Sequence, residues 1–238
     1  MRWARPRVQA SQIGSRATPC QPETCEPDGP LAIVVRMIDH LVYITHHPDE
    51  AVRSISSALG VAFSPGGRHP DRSTRNQLLR IGMATYLEVL SADPNGAEPS
   101  GGRWMGLDLL PPSSPGRLSR WAYHVREEDA PRGLSFGSWQ PGARTLADGS
   151  TLRWKLTDPG TEPLISVQPF LIDWQGAASP ASLLPDQGLT LERLVLKAPE
   201  APDWPPTGGE LPLAYQYQSN RQIIAYLRSP DGRSVVLL

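Results

Sequence analysis

Apolar and polar positions fall into a regular pattern only from about residue 31 onward. Met37–Thr45 (MIDHLVYIT) is short, apolar and rich in β-branched residues, which predicts a strand. Pro48 suits the first turn of a helix, and Asp49 and Glu50 suit its positive end. Val52, Ile55 and Leu59 then recur at helical spacing, and Gly60 stands where such a helix would stop. The stretch SPGGRHPDRST predicts a loop, followed by strands over Asn76–Ile81 and Thr85–Leu90. Asp93–Gly102 is polar and predicts another loop.

A second unit begins at Leu118–Arg126 (LSRWAYHVR). Its helix is expected to be short or missing, because Pro131, Gly133 and Gly137 interrupt the place for it. Asp148-Gly149 predicts a hairpin turn, and Leu164–Trp174 (LISVQPFLIDW) predicts a closing strand with Pro169 at a bulge or edge. A third, weaker unit begins at Leu189–Lys197 and continues over Ala214–Gln218, Gln222–Arg228 and Arg233–Leu238. The theme of one strand, a crossover and further strands predicts an α+β fold. It is built of repeated βαβββ modules over 37–90, 118–174 and 188–238, with mostly antiparallel strands. Residues 1–30 lack hydrophobic periodicity and an apolar core of signal-peptide length. They read as a disordered tail or an over-extended start, ahead of a domain over 31–238.

Charge changes the picture by exclusion. There are 23 basic and 24 acidic residues, for a net charge of −1, which gives no electrostatic case for nucleic acid or an anionic membrane surface. No apolar run approaches the ~18 residues of a membrane span. The 26 prolines, about twice the ~5% average, point to many short elements joined by stiff loops. Cys20 and Cys25 both fall in the N-terminal stretch and have no ligand-spaced partners. A body without cysteine suits a reducing cytoplasm. No GxSxG, Walker-type loop or GxGxxG follows a strand.

The first unit resembles the glyoxalase-like domain family of the vicinal-oxygen-chelate superfamily. The resemblance rests on IDHLVY (Ile38–Tyr43), PDEAVRSISSALG (Pro48–Gly60), GGRHP (Gly66–Pro70), TRNQLLRIG (Thr74–Gly82), YLEVL (Tyr86–Leu90) and PFLIDW (Pro169–Trp174). It implies paired modules whose sheet curls into a cup around a small ligand. In metal-dependent members it also implies a divalent ion on the inner face.

Strand period tests this independently. His40, Val42 and Ile44 share one face of the first strand, and Tyr86, Glu88 and Leu90 share one face of the module's last strand. His40 and Glu88 are therefore expected together on the inner face, either as metal ligands or as a buried hydrogen-bonded pair. The resemblance places them at the ligand positions of the first module. It places Trp121, with Phe170 or Ile172, where the second module would supply the other half of a metal site. His124, Gln168 and Asp173 are the available substitutes. No cofactor is expected, and a divalent metal only weakly bound to His40 and Glu88. His69 is a candidate general base at the mouth of the cup, and Asn76, Tyr86, Trp121 and Phe170 are candidate ligand contacts. Trp104, Trp121, Trp139, Trp154 and Trp174 are candidate wall residues. His46-His47 sits at a strand-to-helix junction, where polar residues are ordinary.

Three functions follow from this reading. The first is an enzyme, a lyase, isomerase or dioxygenase relative, acting on a small, partly apolar carbonyl or aromatic compound. The second is a non-catalytic protein that sequesters a small molecule, with a homodimer compatible with either. The third is an interaction domain whose cup is vestigial. Fold likeness does not choose among them.

Overall fold

The computed structural model describes residues 37–134, 136–145, 151–202 and 212–238. The two cysteines, the segment 1–30 and the Asp148-Gly149 turn lie outside the described residues. Strand β1 (Met37–Ile44) leads into helix α1 (Pro48–Leu59). Pro48 opens the helix, Asp49 and Glu50 occupy its first turn, and Ile55 and Leu59 are its buried face. Gly60 ends it at φ 71, a left-handed conformation that a Cβ would strain, with its N–H donating to Ser56 O. Strands β2 (Ser64–His69), β3 (Thr74–Arg80) and β4 (Tyr86–Ala92) complete the first module. The predicted loop over SPGGRH is thus a strand. It lies at an edge, where Pro65 costs no ladder bond, and its register shifts between Pro65 and Arg68 absorb the glycine pair.

The second module comprises β5 (Arg117–His124), β6 (Trp139–Thr145), β7 (Thr151–Thr157) and β8 (Phe170–Asp173). As expected, the place of its helix holds only a short 3-10 turn, Glu127–Asp129. The closing strand is shorter than predicted and starts just after Pro169. The two modules form one eight-stranded sheet in the order β2-β3-β4-β1-β5-β8-β7-β6. The order is symmetrical. β1 pairs parallel with β4, β5 pairs parallel with β8, and β1 and β5 meet antiparallel at the centre. The sheet curls until its outer strands face each other, with Arg72 Nη2 3.8 Å from Asp158 Oδ2 across the mouth. This is the α+β cup that the sequence predicts.

The third unit is built differently. Strands β9 (Thr190–Ala198), β10 (Leu213–Tyr217), β11 (Gln222–Arg228) and β12 (Ser234–Leu237) make a separate sheet in the order β10-β9-β11-β12. It packs Leu194, Leu196, Ile223, Ala225 and Leu227 against Leu118, Trp121, Tyr123 and Leu171 on the convex side of the large sheet. The physical reason is the missing helix. Without it the convex face of β5 and β8 would leave large aromatic side chains in water, and the small sheet covers them. The concave side holds a second apolar cluster containing Val42, Ile44, Tyr86, Leu90, Phe170 and Ile172. Among the described residues no helix is long and apolar enough to cross a membrane.

Candidate active site

The concave site begins with a register shift in β1. Ile38 pairs with Tyr123 and His40 with Ala122, so Asp39 is an extra residue. Ile38 and Leu41 both enter the convex core, which leaves Asp39 and His40 together on the concave side. Strict alternation would have sent Asp39 to the opposite face with Leu41, and for that reason the strand pattern alone missed it. The signal available in the sequence was a carboxylate in the middle of an apolar strand, beside the candidate histidine.

Asp39, His40 and Glu88 are all buried. Asp39 Oδ1 lies 2.6 Å from His40 Nδ1, and Asp39 Oδ2 accepts from Trp174 Nε1 at 2.8 Å. With Asp39 as acceptor, the bonding assigns the proton of a neutral His40 to Nδ1. Nε2 then carries a lone pair and lies 3.7 Å from Glu88 Oε2, too far for a hydrogen bond. The other Glu88 oxygen accepts from Asn76 Nδ2 at 2.6 Å. Asn76 Oδ1 accepts from the Gly67 N–H at 2.6 Å. A Cβ at Gly66 would lie 2.0 Å from that same Asn76 oxygen, so glycine is required for the close approach. Tyr86 stacks on the imidazole at 4.6 Å and 19°, and Phe170 meets it edge-on at 5.3 Å. The ring is thereby held on two sides while Nε2 faces the cup.

The walls are apolar and aromatic. His40, Asn76, Tyr86, Glu88, Phe170 and His69 line a cavity of about 50 Å³ with Trp104, Trp154 and Trp174. Among the described residues no lysine or arginine lines it. Its volume holds a water or two and is below the ~300–1,000 Å³ of ligand pockets. The cover includes Trp104 and Met105, from the short helical turn Trp104–Leu109. Arg72 stacks on Trp104 at 4.9 Å, and Met105 N–H donates to Gly160 O at 2.8 Å. The Trp104 indole N–H is buried and meets no acceptor. Behind this cover Arg120 is fully buried and donates to the carbonyls of Pro159, Ser119 and Pro163 at 3.0, 2.9 and 2.6 Å. Burial without a carboxylate partner pulls its ionisation down to about 10.

The structure brings together His40, Glu88, His69, Asn76, Tyr86 and Phe170. It does not bring in Trp121. That side chain is fully buried on the convex side, and its indole N–H donates to Val167 O at 2.8 Å. The residue facing His40 across the strands is Ala122. A shift of one residue inverts the face of a strand, and the expectation that Trp121 walls the cup is corrected on that ground. Trp139 also belongs to the convex core. His69 ends a strand rather than standing in a loop, with Nδ1 3.0 Å from Thr74 Oγ1. His46 and His47 lie beside the Leu110 and Pro112 carbonyls and secure a loop.

The donor set does not fit a metal of the kind the superfamily implies. The partner of Ala122 on β8 is Phe170, and Ile172 occupies the position equivalent to Glu88. The second module therefore offers no ligand atom. Asp173 is used to accept from the Glu127 and Gln175 N–H groups at 3.0 and 2.7 Å. No cluster of three ligating side chains occurs among the described residues.

The model of the glyoxalase-like domain matches residues 38–211, most of the chain. This chain belongs to the glyoxalase-like domain family. Nothing among the curated proteins matches it. Among solved structures, a hypothetical protein from Staphylococcus aureus is similar at 15% identity, covering 69% of this chain and 70% of that one, with TM-score 0.49. Methylmalonyl-CoA epimerase from Streptomyces coelicolor is similar at 18% identity, covering 59% and 97%, with TM-score 0.39. The epimerase from Mycobacterium tuberculosis is similar at 16% identity, covering 61% and 93%, with TM-score 0.37. These likenesses are of fold and carry no argument about substrate.

Proposed function

We propose that this glyoxalase-like domain protein binds a small, neutral, partly apolar carbonyl compound in the cup and moves a proton on the carbon next to the carbonyl. The observation that carries this reading is the buried Asp39–His40 contact at 2.6 Å, which in the neutral imidazole directs the proton to Nδ1 and turns the lone pair of Nε2 to the cup. An aspartate bonded to Nδ1 holds a histidine in the tautomer and orientation of a general base. Glu88 Oε2, 3.7 Å away, is a second proton-accepting atom, so the floor repels anions and attracts an acidic hydrogen. The absence of lysine and arginine among the described wall residues favours a neutral substrate for the same reason.

In the step envisaged, Nε2 takes the proton from the α-carbon. The electron pair of the C–H bond passes to the carbonyl oxygen and gives an enolate. After its proton exchanges with solvent, the imidazolium returns a proton to the same face of that carbon, which completes exchange with retention, and no oxidant is required. The buried Trp104 N–H, which meets no acceptor among the described residues, is suited to the enolate oxygen.

The test is hydrogen–deuterium exchange in D₂O with phenylacetone, followed by proton NMR. Enzyme-dependent loss of the α-proton signal is expected, and it should be abolished in His40→Gln. A second reading, binding without turnover, is favoured by the satisfaction of Glu88 by Asn76 at 2.6 Å. Saturable binding of phenylacetone with no exchange above buffer would select that reading.

A further inference from the structure

The convex side of the molecule carries a second cavity, unrelated to the cup. It measures about 590 Å³ and lies between α1, the start of β5, the turn joining β10 to β11, and β12. That volume is within the ~300–1,000 Å³ typical of ligand pockets, whereas the closed cup is far smaller.

Its chemistry is distinctive. Arg117 and Arg221 line it, and among the described residues no aspartate or glutamate side chain does. Among the described residues no carboxylate forms an ion pair with either arginine. The Arg117 Nε–H is buried and meets no hydrogen-bond acceptor. Two guanidinium cations lining one concavity are the complement of an oxyanion. Tyr43 also lines the cavity, and burial raises its phenol above the ordinary value, against the smaller opposing pull of Arg117, so the hydroxyl is available as a further donor. The opposite wall is apolar, from Ile55, Val235 and Leu237. The terminal carboxylate of Leu238 also lines the cavity, where one of its oxygens accepts from the Leu118 N–H at 2.7 Å, and it forms no ion pair with either arginine among the described residues.

We propose that this outer cavity binds a small organic anion, with a carboxylate or phosphate-monoester head held by Arg117 and Arg221 and an apolar body against α1 and β12. The two arginines are remote in sequence and come together only because the small sheet docks beside the first strand of the second module. A planar guanidinium fork matches either head group by paired hydrogen bonds, whereas a neutral ligand would leave both charges unanswered.

Isothermal titration calorimetry on the full chain tests this, with phenyl phosphate, phenylacetate, inorganic phosphate and benzyl alcohol as probes. Saturable binding of phenyl phosphate or phenylacetate is expected, tighter than for benzyl alcohol, which matches their bodies without charge. The choice between the two anions identifies the head group, and inorganic phosphate should bind more weakly than phenyl phosphate because it lacks the apolar body. Arg221→Gln, an exposed position that leaves packing intact, should weaken binding about tenfold or more, as expected for loss of a charge-assisted pair. Arg117→Lys keeps the charge and loses the fork, and it should weaken binding less than Arg117→Gln. The proposal is overturned if neither aromatic anion binds, if benzyl alcohol binds as tightly, or if affinity is unchanged in Arg221→Gln. Binding strengthened in Glu88→Gln, which removes the negative floor of the cup, but unchanged in Arg221→Gln would place the anion in the cup and equally overturn it.

Discussion

Asp39 and His40 are neighbours in a strand, yet both side chains face the concave side, with Asp39 Oδ1 2.6 Å from His40 Nδ1. The register shift that permits this turns an ordinary inward-facing histidine into one with a defined tautomer. Asp39→Asn is the direct test. The amide oxygen and nitrogen compete for Nδ1, and the proton on the imidazole is expected to move toward Nε2. Long-range proton–nitrogen NMR on the His40 ring should show the Nδ1-protonated form in the native protein and a shift toward the other tautomer in the variant. Exchange activity should fall by ~10²–10⁴-fold, the range for a lost general base. An unaltered tautomer with unaltered activity would remove Asp39 from the site.

Trp121 belongs to the core between the two sheets and not to the cup. Trp121→Ala is therefore expected to cost ~3–5 kcal/mol of stability, as for a large buried aromatic. Phenylacetone affinity in the folded fraction should be unchanged. Chemical denaturation and titration of the same sample check both halves. A folded variant with weakened cup binding would return Trp121 to the inner wall.

The cover over the cup is held in part by Arg72, through its stacking on Trp104 at 4.9 Å and its ion pair with Asp158 at 3.8 Å. Both contacts are partly exposed, so Arg72→Ala should change stability by less than ~1 kcal/mol. It should nevertheless loosen the cover, raise acrylamide quenching of tryptophan fluorescence and speed ligand entry in stopped flow. A rigid cover that does not depend on Arg72 would leave both rates as they are.

Acid stability should depend on Asp93. Its hydrogen bond from Arg68 Nε, at 2.5 Å, is the largest cause holding its carboxyl below the ordinary 3.8, with the Asn95 N–H assisting. A depressed folded value means that the stabilisation is complete above 3.8 and is lost as the pH falls through and below it. Asp93→Asn should lower the melting temperature at neutral pH and flatten its dependence on pH in the acid range. Parallel acid dependence in both proteins would show that the pair contributes nothing.

Protein purified without added metal is expected to carry no stoichiometric zinc or nickel. His40 and Glu88 supply two donor atoms, and a catalytic zinc usually takes three protein ligands. Elemental analysis decides the point. One tightly held metal per chain, lost in both His40→Ala and Glu88→Ala, would sink the metal-free proton-transfer reading.

Much of the cup was legible from residue pattern. Val52, Ile55 and Leu59 with Pro48 and Gly60 specify the helix Pro48–Leu59 through local spacing and end chemistry, which need no tertiary partner. Period-two alternation placed Tyr86, Glu88 and Leu90 on one face, because β4 has no register shift along its length. His40 and Glu88 could therefore be paired from sequence. Alternation failed where the backbone inserts a residue. The shift at Asp39 brought a carboxylate to the concave side, and the register between β1 and β5 set Ala122, not Trp121, opposite His40. No local pattern encodes which residue of one strand faces which residue of another; hydrogen-bonded pairing and the burial of both faces decide it together. The same holds for the third unit, whose strands were readable, while their assembly into a separate covering sheet depends on the apolar surface left by a helix the second module lacks. Arg117 and Arg221 each read as an ordinary surface cation in the chain. Only docking of that sheet beside β5 puts both in one cavity, with no aspartate or glutamate side chain among its described lining residues, since charge complementarity is a property of positions in space rather than of order along the chain.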